Sequence, residues 1–182
     1  KFLKIARRWI FRLLAVVLFA PIIKPIGLPN KTISPATRRV YDHIEKLPSG
    51  SFVLFSFDYD PSTRPELHPM ATALVRHAFS RDLRVGVVTY MAGSTGLIEE
   101  IFSQVPGEYG KVDGRDYVIL PYMPNILAAI TQMASNIYGI YNKDRNGAPL
   151  HDMPVLKGIR NYKDISLVVG VTGTVILDYW VL

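Results

Sequence analysis

The sequence predicts an α/β domain with a mostly parallel β-sheet, preceded by an N-terminal membrane-spanning helix. Three observations carry this prediction. Strand-like apolar segments alternate with helical segments along residues 51–182, the first strand-like segment runs into two aspartates and two hydroxyls, and residues 9–28 form one long apolar stretch. Alternating strands and helices are typical of a parallel sheet with right-handed crossovers.

The charge of the chain is divided unevenly between its two parts. Of the 21 Lys and Arg residues that give the 182-residue chain its net charge of +6, nine lie in residues 1–41, where there is no acidic residue. The remaining twelve face fifteen Asp and Glu, so the body is net −3. An acidic body disfavours nucleic-acid binding, and a basic arm fits anionic lipid headgroups. The absence of cysteine excludes disulfides, thiolate zinc sites and cysteine nucleophiles.

Residues 1–29 are predicted to be a basic arm and a single transmembrane signal-anchor helix. Residues 13–23 are uninterrupted apolar, and 9–28 has about the length needed to cross a bilayer core. Arg12 and Lys24 lie near the ends, where their long side chains can reach the headgroups. A cleaved signal peptide remains an alternative, although no convincing cleavage site follows the apolar run. The other alternative is an amphipathic or core helix. The apolar run has no polar face, which disfavours that alternative.

The position of the cations predicts the topology. Because they precede the span, the positive-inside rule places the N-terminus in the cytoplasm and the body in the periplasm of a bacterial inner membrane. The predicted partners are the lipid bilayer, through residues 9–28, and other membrane-protein subunits or a second copy of the chain. We also expect residues to precede Lys1, and the natural chain to continue past Leu182 or its final apolar run to pair with another subunit.

Residues 30–50 are predicted to be a linker with a short helix capped by Thr32 or Ser34, and residues 51–182 a Rossmann-like three-layer domain. The strands of that domain are predicted at Phe52–Phe57, Leu83–Met91, Asp116–Leu120, Ile165–Val171 and Val175–Val181. The link between the last two is too short for a parallel crossover, so the fifth strand should be antiparallel or bent away.

The helices between the strands carry recognisable start signals. Thr63 and Glu66 have the spacing of a capping box at the start of the first helix of the domain. A second helix opens within Gly93–Gly96, and Asn125 is a good cap for a third that runs to Ile137. Residues 153–162 are predicted to contain one more short helix.

Small hydroxyl and acidic residues follow the predicted strands. In a parallel sheet the carboxyl ends of the strands meet at one rim, where ligands of open α/β sheets bind. The residues predicted to gather there are Asp58, Asp60, Thr89 and the ligand-binding candidates Ser62, Thr63, Ser94, Thr95, Asn125 and Thr172. The positive end of the helix after the first strand is expected to favour the ionised forms of Asp58 and Asp60.

Phe57-Asp58-Tyr59-Asp60 resembles the strand end of haloacid dehalogenase-like phosphatases. The resemblance implies that Asp58 is a nucleophile, Asp60 a general acid/base and Thr89 a phosphate-binding residue. The sequence departs from that family after Asp60, and strand four ends without the acidic pair that completes a magnesium site. The alternative interpretation is that both aspartates form turns and cap the following helix.

No cofactor or metal site is predicted. The Gly93–Gly96 loop could cradle an anion but lacks the Walker lysine and the dinucleotide-binding glycine pattern, and acidic residues follow it. His68 and His77 are nine residues apart, about half a turn out of phase on a helix, so they cannot share a metal from one face.

A second resemblance covers Phe57–Thr63 followed by Pro65–Met70. These residues look like stretches in uncharacterised bacterial membrane-anchored proteins with a Rossmann-like domain, which implies the anchored arrangement and no activity. We therefore expect a non-enzymatic subunit of a membrane complex that binds its neighbours through the α/β domain. The alternative is a small-ligand-binding protein or phosphate-ester hydrolase with its site at the rim formed by Asp58, Asp60 and Thr89.

Overall fold

The computed structural model describes residues 7–24 and 33–181. The chain divides into an N-terminal unit up to Arg39 and an α/β unit that starts at Val40. In the first unit, helix α1 (Arg7–Ile23) buries none of its side chains. The last residues of the predicted span 9–28 lie outside the described residues, and no described helix combines the length and the hydropathy needed to cross a membrane.

Helix α2 (Pro35–Lys46) crosses from the first unit into the second. The Oγ of Ser34 accepts a hydrogen bond from the N–H of Thr37 at 3.1 Å, as an N-cap does. Of the two predicted caps, Ser34 is therefore confirmed, whereas Thr32 lies outside the described residues. Ile44 is the side chain of α2 that enters the core of the α/β unit.

The α/β unit contains a four-stranded, all-parallel sheet, which confirms the predicted α/β class and parallel sheet and is consistent with a Rossmann-like fold. The strands have the order β3-β2-β1-β4, which places the first strand at the centre. They are β1 (Phe52–Asp58), β2 (Arg84–Val88), β3 (Tyr117–Ile119) and β4 (Leu167–Thr172), joined through α3 (Arg64–Ser80), α4 (Thr95–Glu108) and α5 (Ile126–Ser135). The strand order reverses between β1 and β4, and such a switch point is where open α/β sheets bind ligands.

Two apolar layers cover the faces of the sheet. Because strand side chains alternate, Val53, Phe55 and Phe57 point to one face, where they join the core formed with α3 and α4. Phe52 and Leu54 point to the other face and pack in the core that includes α5 and the segment that follows it. The continuous apolar sequence of β1 follows from this burial on both faces.

The predicted fifth strand is wrong. Residues Val175–Trp180 form a 3₁₀ helix, and the side chain of Thr174 caps it by accepting the N–H of Ile176 at 3.3 Å. Ile176 and Trp180 pack on the second core, while Val175 is exposed. A short apolar run does not by itself distinguish a strand from a helix, and here the Thr174 cap starts a helix.

Two further predictions about helices differ from the structure. Thr63 does not form a capping box, because its hydroxyl donates backwards to the carbonyl of Asp60 at 3.2 Å. The short helix predicted in residues 153–162 is reduced to a single 3₁₀ turn, Pro154–Leu156, and two similar turns flank it at Leu150–Asp152 and Tyr162–Asp164. By contrast, Asn125 caps α5 as predicted, with its Oδ1 accepting the N–H of Ala128.

Gly86 of β2 tests the packing of the sheet. A Cβ at this position would lie 2.5 Å from the ring of Phe52 and 3.1 Å from Leu54. We expect Gly86→Ala to lower the free energy of unfolding by about 1–3 kcal/mol, since the crowded core must shift. Gly96→Ala is the matched control, because nothing lies within 4 Å of its Cβ position. Urea denaturation followed by circular dichroism measures both; equal stabilities would contradict the packing described.

Candidate functional site at the carboxyl ends of the strands

Asp58, the last residue of β1, is completely buried and its carboxylate is fully engaged. Oδ2 accepts the hydroxyl of Ser56 at 2.5 Å, and Oδ1 accepts the backbone N–H of Tyr90 at 2.6 Å. The hydroxyl of Thr89 lies 3.3 Å from the same Oδ1. The carboxylate therefore joins the ends of β1 and β2, and Thr89 stands where the phosphatase resemblance places it but beside an enclosed acid.

Burial raises the pKa of Asp58, and the hydrogen bonds from Ser56, Tyr90 and Thr89 oppose the rise. Burial thus acts against the predicted effect of the helix N-terminus, which is expected to favour the ionised form of Asp58. For Asp60 the direction is as predicted. Hydrogen bonds from Ser62, and then from the N–H of Thr63, lower the pKa of Asp60.

Asp60 organises the turn that leads into α3. Its Oδ1 accepts the hydroxyl of Ser62 at 2.6 Å, the N–H of Ser62 at 2.9 Å and the N–H of Thr63 at 3.3 Å. An aspartate that accepts main-chain N–H groups two and three residues ahead is an Asx-type turn residue. Asp60, Ser62 and Thr63 thus form one local unit, with Ser62 exposed and Thr63 half-buried.

The remaining ligand-binding candidates also form hydrogen bonds within the protein. Ser94 is buried and clamps the loop after β2 to the residue after β1, donating to the carbonyl of Tyr59 and accepting its N–H at 2.8 and 3.0 Å. The exposed Thr95 donates to the carbonyl of Ala92. Asn125 caps α5. The hydroxyl of Thr172 donates to the carbonyl of Asp58 at 3.0 Å, which joins β4 to β1.

The rim therefore brings Asp58, Thr89 and Thr172 into one hydrogen-bonded network, whereas Asp60, Ser62 and Thr63 form a separate turn. Asn125 caps the start of α5 and makes no hydrogen bond to either group within the described part of the chain. The parallel sheet confirms that the strand ends share a rim. The side chains at that rim bond mainly to one another and to the backbone.

Sequence reasoning missed four side chains that surround Asp58 on the α5 face. Ser56 shares this face because it lies two residues before Asp58. The indole N–H of Trp180 donates to the Oγ of Ser56 at 3.2 Å, and the Trp180 ring lies 6.2 Å from that of Tyr90. Tyr141 is the fourth. Alternation along β1 could have located Ser56, but no local signal links Trp180 or Tyr141 to Asp58.

The hydroxyls of Tyr90 and Tyr141 are buried and interact with each other, and neither makes a hydrogen bond of standard geometry to a described residue. Tyr90 is 6% exposed and Tyr141 is 1% exposed. Burial raises the pKa of both phenols, and the nearby Asp58 charge adds to the rise. Both side chains therefore remain neutral at ordinary pH, with O–H groups beside a buried acid. A buried polar atom of this kind is costly unless water or a ligand completes it.

The histidines are used individually. The Nδ1 of His68 lies 3.0 Å from the hydroxyl of Tyr59, and the Nε2 of His77 lies 2.8 Å from Oε1 of Glu45. Burial raises the pKa of Tyr59 to about 12, so its hydroxyl stays protonated. Among the residues that the structure describes, no group of three or more His, Asp or Glu side chains is placed to hold a metal ion.

Comparison of the chain with protein-family models, with curated proteins and with solved structures found no significant match. Functional inference therefore depends on the geometry of the chain itself.

The buried carboxylate of Asp58 makes a specific prediction about stability. Asp58→Ala leaves the hydroxyl of Ser56 and the N–H of Tyr90 without an acceptor, so we expect the free energy of unfolding to fall by about 2–4 kcal/mol. Asp58→Asn keeps an acceptor oxygen, and should cost clearly less. The folded protein holds the Asp58 proton more tightly than the unfolded chain does, because the pKa of Asp58 is raised by folding. The free energy of unfolding of the wild type should therefore fall as the pH rises from the ordinary pKa of an aspartate through the raised pKa of Asp58.

Urea denaturation of wild type, Asp58→Ala and Asp58→Asn between acidic and neutral pH measures both effects. Asp60→Ala is the control, since the same change there removes an acceptor from an exposed turn. Two results would contradict the burial of Asp58. One is a larger loss of unfolding free energy in Asp60→Ala than in Asp58→Ala. The other is an unfolding free energy that depends on pH in Asp58→Asn as it does in the wild type.

Proposed function

We propose that this protein is a non-enzymatic, membrane-anchored subunit of a membrane complex, which binds neighbouring subunits through its α/β unit. The observation that carries the proposal is the surface of α1. All seventeen of its residues leave their side chains unburied, and Trp9, Leu13 and Val16 are each more than 60% exposed. A helix that presents apolar side chains all round fits a lipid environment.

Helix α1 by itself is shorter than a full membrane span, and the proposed anchor therefore includes the residues up to 28 that follow it. Seventeen helical residues extend for about 26 Å at 1.5 Å per residue, somewhat less than a bilayer core of about 30 Å. Arg7, Arg8 and Arg12 lie in its first half, and Lys24 follows it. In the proposed arrangement residues 9–28 form the anchor, the N-terminus is cytoplasmic and the body is periplasmic.

The state of the rim supports a non-enzymatic role. The carboxylate of Asp58 has no solvent exposure, and Asp60 holds the turn that begins α3. Neither acid is presented as an exposed nucleophile next to a free acid/base. Since activity would require these groups to leave their structural partners, the α/β unit is better suited to present a surface than to perform hydrolysis.

A charge in the middle of α1 tests the anchor. We expect Val17→Asp to shift the protein from the membrane to the soluble fraction, because aspartate at the centre of a spanning helix costs about 3 kcal/mol of insertion free energy. Val112→Asp is the matched control, since Val112 is an exposed valine of the α/β unit. Fractionation after carbonate extraction measures the distribution. If Val17→Asp stays in the membrane as wild type does, α1 is not the anchor.

The orientation and the complex have tests of their own. Protease added outside spheroplasts should digest the α/β unit while the N-terminus stays protected, because the cations precede the span. Mild detergent extraction of native membranes should yield a species larger than one 20.5 kDa chain, with companion subunits or further copies identified by mass spectrometry. A protected body refutes the topology, and a monodisperse monomer that turns over a small molecule refutes the non-enzymatic role.

One observation favours a second candidate function, the binding or hydrolysis of a small ligand at the rim. The buried hydroxyls of Tyr90 and Tyr141 interact with each other but make no hydrogen bond of standard geometry to a described residue, and the charge of Asp58 acts on both phenols. In this alternative a ligand completes these phenols, and Asp58, Asp60 and Thr89 take the roles that the phosphatase resemblance implies. Asp58→Asn then abolishes turnover of a phosphate ester while leaving the fold intact, whereas a structural Asp58 changes stability alone.

A further inference from the structure

A groove of about 1050 Å³ lies between the C-terminal end of α5 and the loop formed by residues 150–161. The guanidinium of Arg84, the first residue of β2, donates to the carbonyls of Val155 and Lys157 at 2.8 and 2.9 Å. These bonds place the loop at the amino ends of the strands, away from the rim. The groove is thus separate from every site residue discussed above.

The groove is cationic although the body is acidic. Lys157 and Arg160 both line it, against the single acid Asp152. The ammonium of Lys157 has no hydrogen-bond or ion-pair partner in the described ranges 7–24 and 33–181. Lys157 therefore keeps its full charge for a ligand. A groove lined by two cations and one acid attracts anions.

Arg160 is held in a position that faces the groove. The carboxylate of Asp164 accepts the backbone N–H groups of Arg160 and Asn161 at 2.8 and 3.1 Å, which fixes the main chain there. Burial raises the pKa of Tyr138, and the charge of Arg160 opposes the rise. The backbone hydrogen bonds from Arg160 and Asn161 lower the pKa of Asp164, and the charge of Arg160 lowers it further. Tyr138 is itself a lining residue.

The wall of the groove also offers a flat aromatic surface. The rings of Tyr138 and His151 stack with their centroids 4.1 Å apart and 17° between their planes. Leu156 and Ile159, both buried, contribute apolar lining. A ligand with a charged head and an aromatic or apolar part would therefore find a partner for each.

We propose that this groove binds a phosphate monoester, with the phosphate between Lys157 and Arg160 and the organic part against the Tyr138–His151 stack. A phosphate monoester carries nearly two negative charges, so it complements two cations better than a ligand with a single carboxylate does. A guanidinium group can also bind two phosphate oxygens at once. The site is independent of the proposed anchor and of the rim. The phosphate could belong to a soluble metabolite or to a lipid headgroup.

Calorimetric titration of the full chain in non-ionic detergent with phenyl phosphate tests the soluble source. We expect saturable binding that is tighter than that of inorganic phosphate, because phenyl phosphate adds the ring. The double variant Lys157→Gln/Arg160→Gln should weaken binding about tenfold or more, since it removes both cations that hydrogen-bond the phosphate. Lys163→Gln is the matched control, an exposed lysine on the next turn that does not line the groove.

Asp152→Asn should strengthen binding, whereas the double variant should weaken it, so this test does not depend on a loss of function. It removes the single negative side chain of the groove and should tighten phenyl phosphate binding about two- to tenfold. Vesicles of phosphatidylcholine with and without phosphatidic acid test the lipid source, with the extra binding to phosphatidic acid lost in the double variant. Binding of neither probe, or binding that the double variant and Asp152→Asn leave unchanged, overturns the proposal.

Discussion

The buried carboxylate of Asp58 is the interaction on which the arrangement of the strand ends depends. A carboxylate removed from water must be hydrogen-bonded, and it is satisfied here by Ser56 of its own strand and by the N–H of Tyr90 after β2. The carbonyl of the same residue accepts the hydroxyl of Thr172 at the end of β4. One residue thus connects three strands, and its local environment fixes where β1, β2 and β4 end.

That junction leaves little room for a ligand at the switch point between β1 and β4. A Cβ at Gly173 would lie 3.1 Å from the side chain of Thr63, so the turn after β4 packs closely against the start of α3. On the other face, the indole of Trp180 donates to Ser56 and places the last 3₁₀ helix over Asp58. The place where Rossmann-like folds usually bind ligands is therefore occupied by the chain itself, with the buried phenols of Tyr90 and Tyr141 beside it.

The sequence allowed the parallel sheet and the caps at Ser34 and Asn125 to be predicted, because these depend on local periodicity and on short-range hydrogen bonds. It did not allow the burial of Asp58 to be predicted. An aspartate after a strand looks the same whether it faces solvent or a core, and here the donors come from a different strand. The 3₁₀ helix ending at Trp180 was missed for a related reason, since its packing partners are distant in sequence.

The two ends of the sheet differ in what their polar groups can still bind. At the rim, the carboxylate of Asp58 accepts the N–H of Tyr90 after β2, and the hydroxyl of Thr172 donates to the carbonyl of Asp58. These bonds stabilise the sheet, but they also occupy the polar groups that a catalytic or binding site would use. At the amino ends, Lys157 retains a charge that no described residue neutralises, and Arg160 lines the same groove. Because a ligand gains most from groups that the protein has not already paired, recognition of an anion is favoured at the amino ends, and the strand-end aspartates primarily serve the fold.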